Sequence, residues 1–141
     1  GDIVVVTEDC KFALTETTLG IPPAQIAPFV SQRIGLAKAR RIMLTAARFT
    51  GKEAHEMGLA DFVAKDADDL KVIEADIKKG VLKCAPGANA VTKEIVLATR
   101  HLTRKEMIEF AAKGFAERML SDEGKEGISS FIEKRKPKWS K

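Results

Sequence analysis

The chain has 141 residues, 45% hydrophobic, 31% charged and 6% aromatic, with no Tyr and one Trp. That length suits one domain able to bury about 70% of its unfolded surface, and the composition excludes collagen-like, mucin-like and wholly disordered classes. The formal charge of +4 belongs to the C-terminal end: residues 134–141 hold Lys134, Arg135, Lys136, Lys138 and Lys141 and no acid, leaving 19 bases against 20 acids elsewhere, which disfavours a nucleic-acid-binding face.

Ile3, Val4, Val5, Val6 and Thr7 are β-branched without polar alternation, the pattern of a strand covered on both faces. Their four-residue aliphatic run is far below the ~20 residues needed to span a bilayer. Residues 8–11 read as a turn, and residues 12–15 as a second extended piece ending at Glu16. A loop with Gly20, Pro22 and Pro23 follows. Thereafter the pattern is helical. Residues 24–34 form a helix closed by Gly35, and residues 36–47 a second with Ile42, Met43 and Leu44 on its apolar face. Thr50 and Glu53 have capping-box spacing, opening a short helix that stops at Gly58, and residues 59–63 suit a brief strand. A helix over 69–82 follows, then one opened by Pro86 with Val91, Ile95, Ala98 and Leu102 as its stripe. Thr103 and Glu106 make a second capping box. Ser121 caps the last helix, whose stripe is Ile128, Phe131 and Ile132. The sum is two or three strands and about seven helices, with no internal repeat or convincing linker.

So few strands cannot close a buried sheet, and an aliphatic strand at the start needs neighbours on both edges. The chain also begins at Gly1, not Met. The expectation is therefore that an upstream portion, or a second chain, supplies the missing strands.

Candidate chemistry is sparse. Cys10 and Cys84 make no CxxC or metal spacing and read as reduced, packed thiols of an intracellular protein. His55-Glu56 begins like H-E-x-x-H, but Leu59 occupies the second ligand position, so no metal is expected, and both His55 and His101 read as surface helix residues. Gly87-Ala88-Asn89 lacks the Lys-Ser/Thr pair of a phosphate loop. Glu16 differs because Phe12, Leu14, Leu19, Ile21 and Ile26 surround it in sequence. A carboxyl kept partly dry suits proton transfer near neutral pH, whereas the plainer alternative is a strand-end Glu that meets solvent or pairs with Arg33.

An ordered series of motifs bears on that choice. It runs from Asp2-Ile3-Val4-Val5-Val6 through Phe12-Ala13-Leu14-Thr15-Glu16 and Leu19-Gly20-Ile21-Pro22-Pro23 to Arg33-Ile34-Gly35. It continues with Phe49-Thr50-Gly51-Lys52-Glu53-Ala54 and Met57-Gly58-Leu59-Ala60, and closes with Ser121-Asp122-Glu123-Gly124 and Phe131-Ile132-Glu133-Lys134-Arg135-Lys136-Pro137. From Gly1 to about Trp139 the series resembles the C-terminal half of the enoyl-CoA hydratase/isomerase (crotonase) family. Residues 20–26 resemble a subgroup that includes isohexenylglutaconyl-CoA hydratase, a branched-chain enzyme.

The resemblance implies an α/β, ClpP/crotonase-like spiral fold, present as its last strands plus a helical trimerisation region. It divides the chain into 1–64, the end of the ββα spiral with the second catalytic glutamate, and 65–141, the oligomerisation region with the basic tail. It implies a lyase of fatty-acid metabolism of the β-oxidation type, adding water to a 2-enoyl-CoA, with Glu16 as one of two acid/base glutamates. The other glutamate and the oxyanion-hole amides would precede Gly1, so residues 1–141 alone would be inactive. No cofactor is implied beyond the coenzyme A carried by the substrate. Ala24, where family hydratases commonly have Gly, would offer a backbone N–H at the first turn of its helix. Phe115, Phe131 and Lys134 match positions that approach a neighbouring subunit's CoA, although Phe115 and Phe131 also fit helix core faces. The implied partners are an acyl-CoA, a homotrimer or dimer of trimers, and the missing half, without nucleic acid or membrane. The implied compartment is cytoplasmic, or an organelle matrix once a targeting segment is removed. An enoyl-CoA isomerase and a non-catalytic oligomerisation fragment are the alternatives.

Overall fold

The structure, a computed structural model, describes residues 1–140. Lys141, the last base of the tail, lies outside the described residues. The chain forms two compact units, Gly1–Asp76 and Ile77–Lys141.

The first unit holds four three-residue strands: β1 (Val5–Thr7), β2 (Lys11–Ala13), β3 (Arg48–Thr50) and β4 (Phe62–Ala64). β1 pairs parallel with β4, setting Val6 opposite Val63, while β2 pairs antiparallel with β3, setting Phe12 opposite Phe49. These rings stack with centroids 5.2 Å apart. β1 is shorter than the expected 3–7 run and only half covered, with Val6 buried and Ile3 exposed. β3 was not expected, because Arg48 and Thr50 flank a single buried Phe49 and leave too short a pattern to read.

Between β2 and β3 runs α1 (Ala27–Leu44). The two helices expected here are one element with a kink at Gly35, whose φ of 79° and ψ of 160° are non-helical. Only glycine enters that backbone region without a steric cost, so its placement agrees with the expected stop. The helix begins at Ala27, not residue 24. α1 ends in a Schellman arrangement: the Ala46 N–H donates to Met43 O, the Ala47 N–H to Ile42 O, and Ala46 takes a left-handed φ of 50°. α2 (Gly51–Met57) starts at the expected capping box, with the Glu53 N–H donating to Thr50 Oγ1 and the Thr50 N–H donating to Glu53 Oε2. Those bonds, the Thr50 amide foremost, hold the Glu53 carboxyl below its usual pKa. Gly51 brings α2 against β1: a Cβ there would lie 1.8 Å from Thr7 O. The core comprises Val6, Leu14, Ile34, Ala39, Ile42, Met43, Phe49, Ala54 and Ala60, with Ile42 the largest side chain removed from solvent.

α3 (Ala67–Leu82) crosses the division between the units. The second unit continues with α4 (Pro86–Ala98), α5 (Arg104–Leu120) and α6 (Asp122–Ile132). Pro86 occupies the first turn of α4, as expected, and the next two amides, of Gly87 and Ala88, donate to the Glu123 carboxylate, each at 3.1 Å. A carboxylate there offsets the positive end of the helix. The second capping box opens α5, and Ser121 Oγ accepts from the Gly124 N–H to open α6. α5 packs on α4 where Gly114 faces Val91 and Ile95. Cys10 is half-buried and Cys84 exposed, both free, so the expected packing of Cys84 does not hold. No helix among the described residues is long and apolar enough to cross a membrane.

Candidate active site

Glu16 does not end a strand as expected. β2 stops at Ala13, the Leu14 N–H adds one bond to Ala47 O, and the chain then tightens into a 3₁₀ helix, Glu16–Leu19. That turn is closed by Gly20 at φ 75°, whose N–H donates to Thr17 O at 3.2 Å, while the Ile21 N–H donates to Glu16 O at 3.3 Å. It is anchored to α1 by Thr17 Oγ1, which donates to Met43 O at 3.2 Å. No sequence signal marks this anchor, because the two residues are 26 positions apart.

Pairing with Arg33 is also absent. The Arg33 guanidinium spans Leu59 O, at 2.5 Å from Nε, and the Asp61 carboxylate, tying α1 to the start of β4. Among the described residues Glu16 Oε2 is thereby left buried with no hydrogen-bond partner. An unsatisfied buried acceptor costs about 1–3 kcal/mol, so an oxygen held in this state invites a functional account. Glu16 lines a cavity of about 230 Å³ with Pro22, Pro23, Ala24, Gln25 and Ile26. Ile26 also lines a larger cavity of about 450 Å³, otherwise walled mainly by apolar groups that include Phe12, Leu14, Phe29 and Phe49. A carboxyl-bearing residue thus lines one cavity, and an apolar cavity shares its Ile26 wall.

The structure brings Ala24 to the same cavity as Glu16 but corrects its backbone. Ala24 sits in a turn ahead of α1, and its N–H donates to Pro22 O at 2.8 Å, so it is engaged and is not a free first-turn amide. Two prolines in succession force this tight local turn.

The remaining candidates belong to the second unit. Phe115 is 68% exposed and Phe131 85% exposed, which overturns the core-face expectation for both within this chain. Phe115 borders a cavity of about 280 Å³ between α4 and α5, with Val91, Ile95, Arg118 and Met119 among its walls. Lys134 is exposed just past α6 and adopts a left-handed φ of 54°. Its N–H donates to Phe131 O and that of Arg135 to Ser130 O, a second Schellman arrangement with lysine where glycine usually stands. His55 Nδ1 lies 3.2 Å from Ala60 O, and the described residues hold no cluster of three or more potential metal ligands.

Comparison with known proteins decides what this architecture is. The family model described as Enoyl-CoA hydratase/isomerase matches residues 1–141. The chain belongs to the enoyl-CoA hydratase/isomerase family. Among solved crotonase-fold structures, Pseudomonas aeruginosa AtuE superposes with a TM-score of 0.97 at 46% identity, covering 100% of this chain and 55% of that one. A probable enoyl-CoA hydratase of Bacillus subtilis is 33% identical over 139 residues, 97% of this chain and 54% of the relative. The peroxisomal Delta(3,5)-Delta(2,4)-dienoyl-CoA isomerase of Arabidopsis thaliana is 30% identical over 144 residues, 99% of this chain and 51% of the relative. The chain therefore spans about half the length of the relatives it matches. The crotonase fold and the enzyme family expected from the motifs are both borne out.

Proposed function

We propose that these residues furnish one half of an enoyl-CoA hydratase site, with Glu16 as one of its two acid/base carboxylates. The observation that carries this reading is a cavity-lining Glu16 whose Oε2 is buried and has no hydrogen-bond partner among the described residues, in a chain of the enoyl-CoA hydratase/isomerase family. In hydration, the water oxygen bonds to Cβ of the 2-enoyl thioester and a proton arrives at Cα, with charge building on the thioester oxygen between those events. A carboxylate with a lone pair uncommitted to the protein can take or return one of those protons. The oxyanion donors and the other carboxylate would come from the remainder of the full-length protein, so the 141-residue piece alone is expected to be inactive.

The Pro22–Ile26 wall and the apolar cavity beyond Ile26 favour a bulky, branched acyl group, in keeping with the motif of residues 20–26. Phe115, Phe131 and Lys134 are proposed to meet the CoA of a neighbouring subunit in a trimer or dimer of trimers. Their exposure in the isolated chain leaves them available for that contact.

A second reading, isomerisation, is favoured by one observation: a relative matched across 99% of this chain is named a dienoyl-CoA isomerase. There a single carboxylate would move a proton between carbons. Full-length protein assayed with a 2-enoyl-CoA and with a 3-enoyl-CoA separates the two. Hydration is supported by loss of the conjugated enoyl absorbance in the first substrate, together with formation of the 3-hydroxyacyl product. Turnover of the 3-enoyl substrate alone would replace the hydratase reading with isomerisation, and turnover of neither would remove both.

A further inference from the structure

Residues 133–140, the described residues after α6, do not trail into solvent. Arg135 folds back and grips Glu126 with both terminal nitrogens, Nη1 to Oε1 at 2.6 Å and Nη2 to Oε2 at 3.0 Å, while its Nε meets Glu133 at 2.5 Å. Such a fork is the geometry in which arginine, unlike lysine, fixes orientation as well as charge. The Lys138 backbone N–H donates to Glu126 Oε1 at 3.0 Å. Trp139 completes the fastening: its indole N–H donates to Lys83 O at 3.2 Å, and its ring lies over Gly127, where a Cβ would stand 3.2 Å from the ring edge. Three attachments thus close the loop that begins with Lys134.

Two features of Lys134 bear on this loop. Its backbone stands in the left-handed region at the Schellman stop of α6, a conformation that a non-glycine residue adopts at a steric cost. Its ammonium also has no carboxylate partner among the described residues: Glu126 pairs with Arg135 and with Lys138 Nζ, the latter at 3.9 Å, and Glu133 pairs with Arg135. Arg135 is thereby a structural cation, Lys138 also approaches Glu126, and Lys134 stays uncommitted among the described residues.

We infer that the Glu126–Arg135–Trp139 latch is a positioning device that presents Lys134 as a fixed, unneutralised cation to the phosphates of a CoA thioester. This rests on the proposed contact of Lys134 with CoA. Arg135 is a positioning residue here, acting through the loop and not on the ligand.

The test uses full-length protein carrying Lys134→Gln, Arg135→Lys, Trp139→Phe, or Lys134→Gln with Arg135→Lys. Each is assayed with a 2-enoyl-CoA and with the matching N-acetylcysteamine thioester, which lacks the phosphates. Arg135→Lys keeps the charge and removes the fork, and circular dichroism confirms that the helices persist. The expected result is a KM for the CoA thioester raised roughly 2- to 5-fold, the worth of one exposed ion pair, with kcat unchanged. The truncated thioester should show no change, and Arg135→Lys should add nothing once Lys134 is already replaced. An equal effect on both substrates, or a full additional loss in the double variant, overturns the latch. If Lys134→Gln raises KM for the CoA thioester while Arg135→Lys and Trp139→Phe leave it alone, the latch fails and the CoA contact stands. If Lys134→Gln itself leaves that KM unchanged, the CoA contact fails and takes the latch's role with it.

Discussion

Replacing Glu16 by Gln in the full-length protein separates chemistry from architecture at this site. The two side chains have nearly the same shape, so the wall of the 230 Å³ cavity stays intact and no void is created. What changes is the buried oxygen that no protein donor satisfies: an atom able to carry a proton becomes part of an amide that cannot. A positioned acid/base group is worth roughly 10²–10⁴ in rate. A loss of about 10³ in kcat, equivalent to about 4 kcal/mol in the barrier, is therefore expected. Stability should move by less than about 1 kcal/mol, since Glu16 has no side-chain bond to lose among the described residues and the fold here is held by Thr17 on Met43 and Leu14 on Ala47. The assay is the steady-state decay of the enoyl absorbance, paired with urea unfolding of the same preparation. Turnover within about threefold of the parent would refute the assignment. So would a drop of several kcal/mol in stability that accounts for lost activity, because Glu16 would then be a structural residue.

Other substitutions probe the frame. Gly51→Ala would drive a methyl group to 1.8 Å from Thr7 O, so strand and helix must part, and a loss of roughly 1–3 kcal/mol is expected in urea midpoints. Ala46→Gly should raise stability by about 1 kcal/mol in the same measurement, since the left-handed φ of 50° costs alanine more than glycine. Glu126 gives a pH signature: its bond with Arg135, the largest influence, lowers its pKa from 4.5 to about 2. Its contribution is accordingly present above about pH 4.5 and lost as the pH falls towards 2. The difference in thermal midpoint between parent and Glu126→Gln should be constant near neutrality and vanish across that interval, and a difference unchanged at pH 2 would contradict the pairing.

What the sequence made legible was local chemistry with its own spacing. Thr50 with Glu53, Thr103 with Glu106, Ser121 before its helix, Pro86 and Gly35 each act within a few residues, and each appears where expected. Contacts closed over long sequence distances were not legible: β3 is marked by one buried Phe49, the 3₁₀ turn at Glu16 depends on Met43, and Arg33 chose Asp61. The stripes carrying Phe115 and Phe131 show a different limit. Apolar periodicity records that a face is to be covered, not that this stretch of chain covers it, and both rings stand in solvent here. Glu16 and Ala24, both singled out from the sequence, do share a cavity. Their geometry was not legible, since the Ala24 amide is already bonded to Pro22.

The helix stop at Ala46 has a consequence for how this protein can be engineered. The carbonyls of Met43 and Ala47, on either side of that strained residue, are the two to which the segment around Glu16 is moored. A substitution at Ala46 therefore acts on the stretch of backbone that carries both acceptors. Thermostabilised variants chosen by melting temperature alone would drift towards this position. They should be screened for the temperature dependence of turnover as well, because the helix end and the segment that carries Glu16 meet at these two carbonyls.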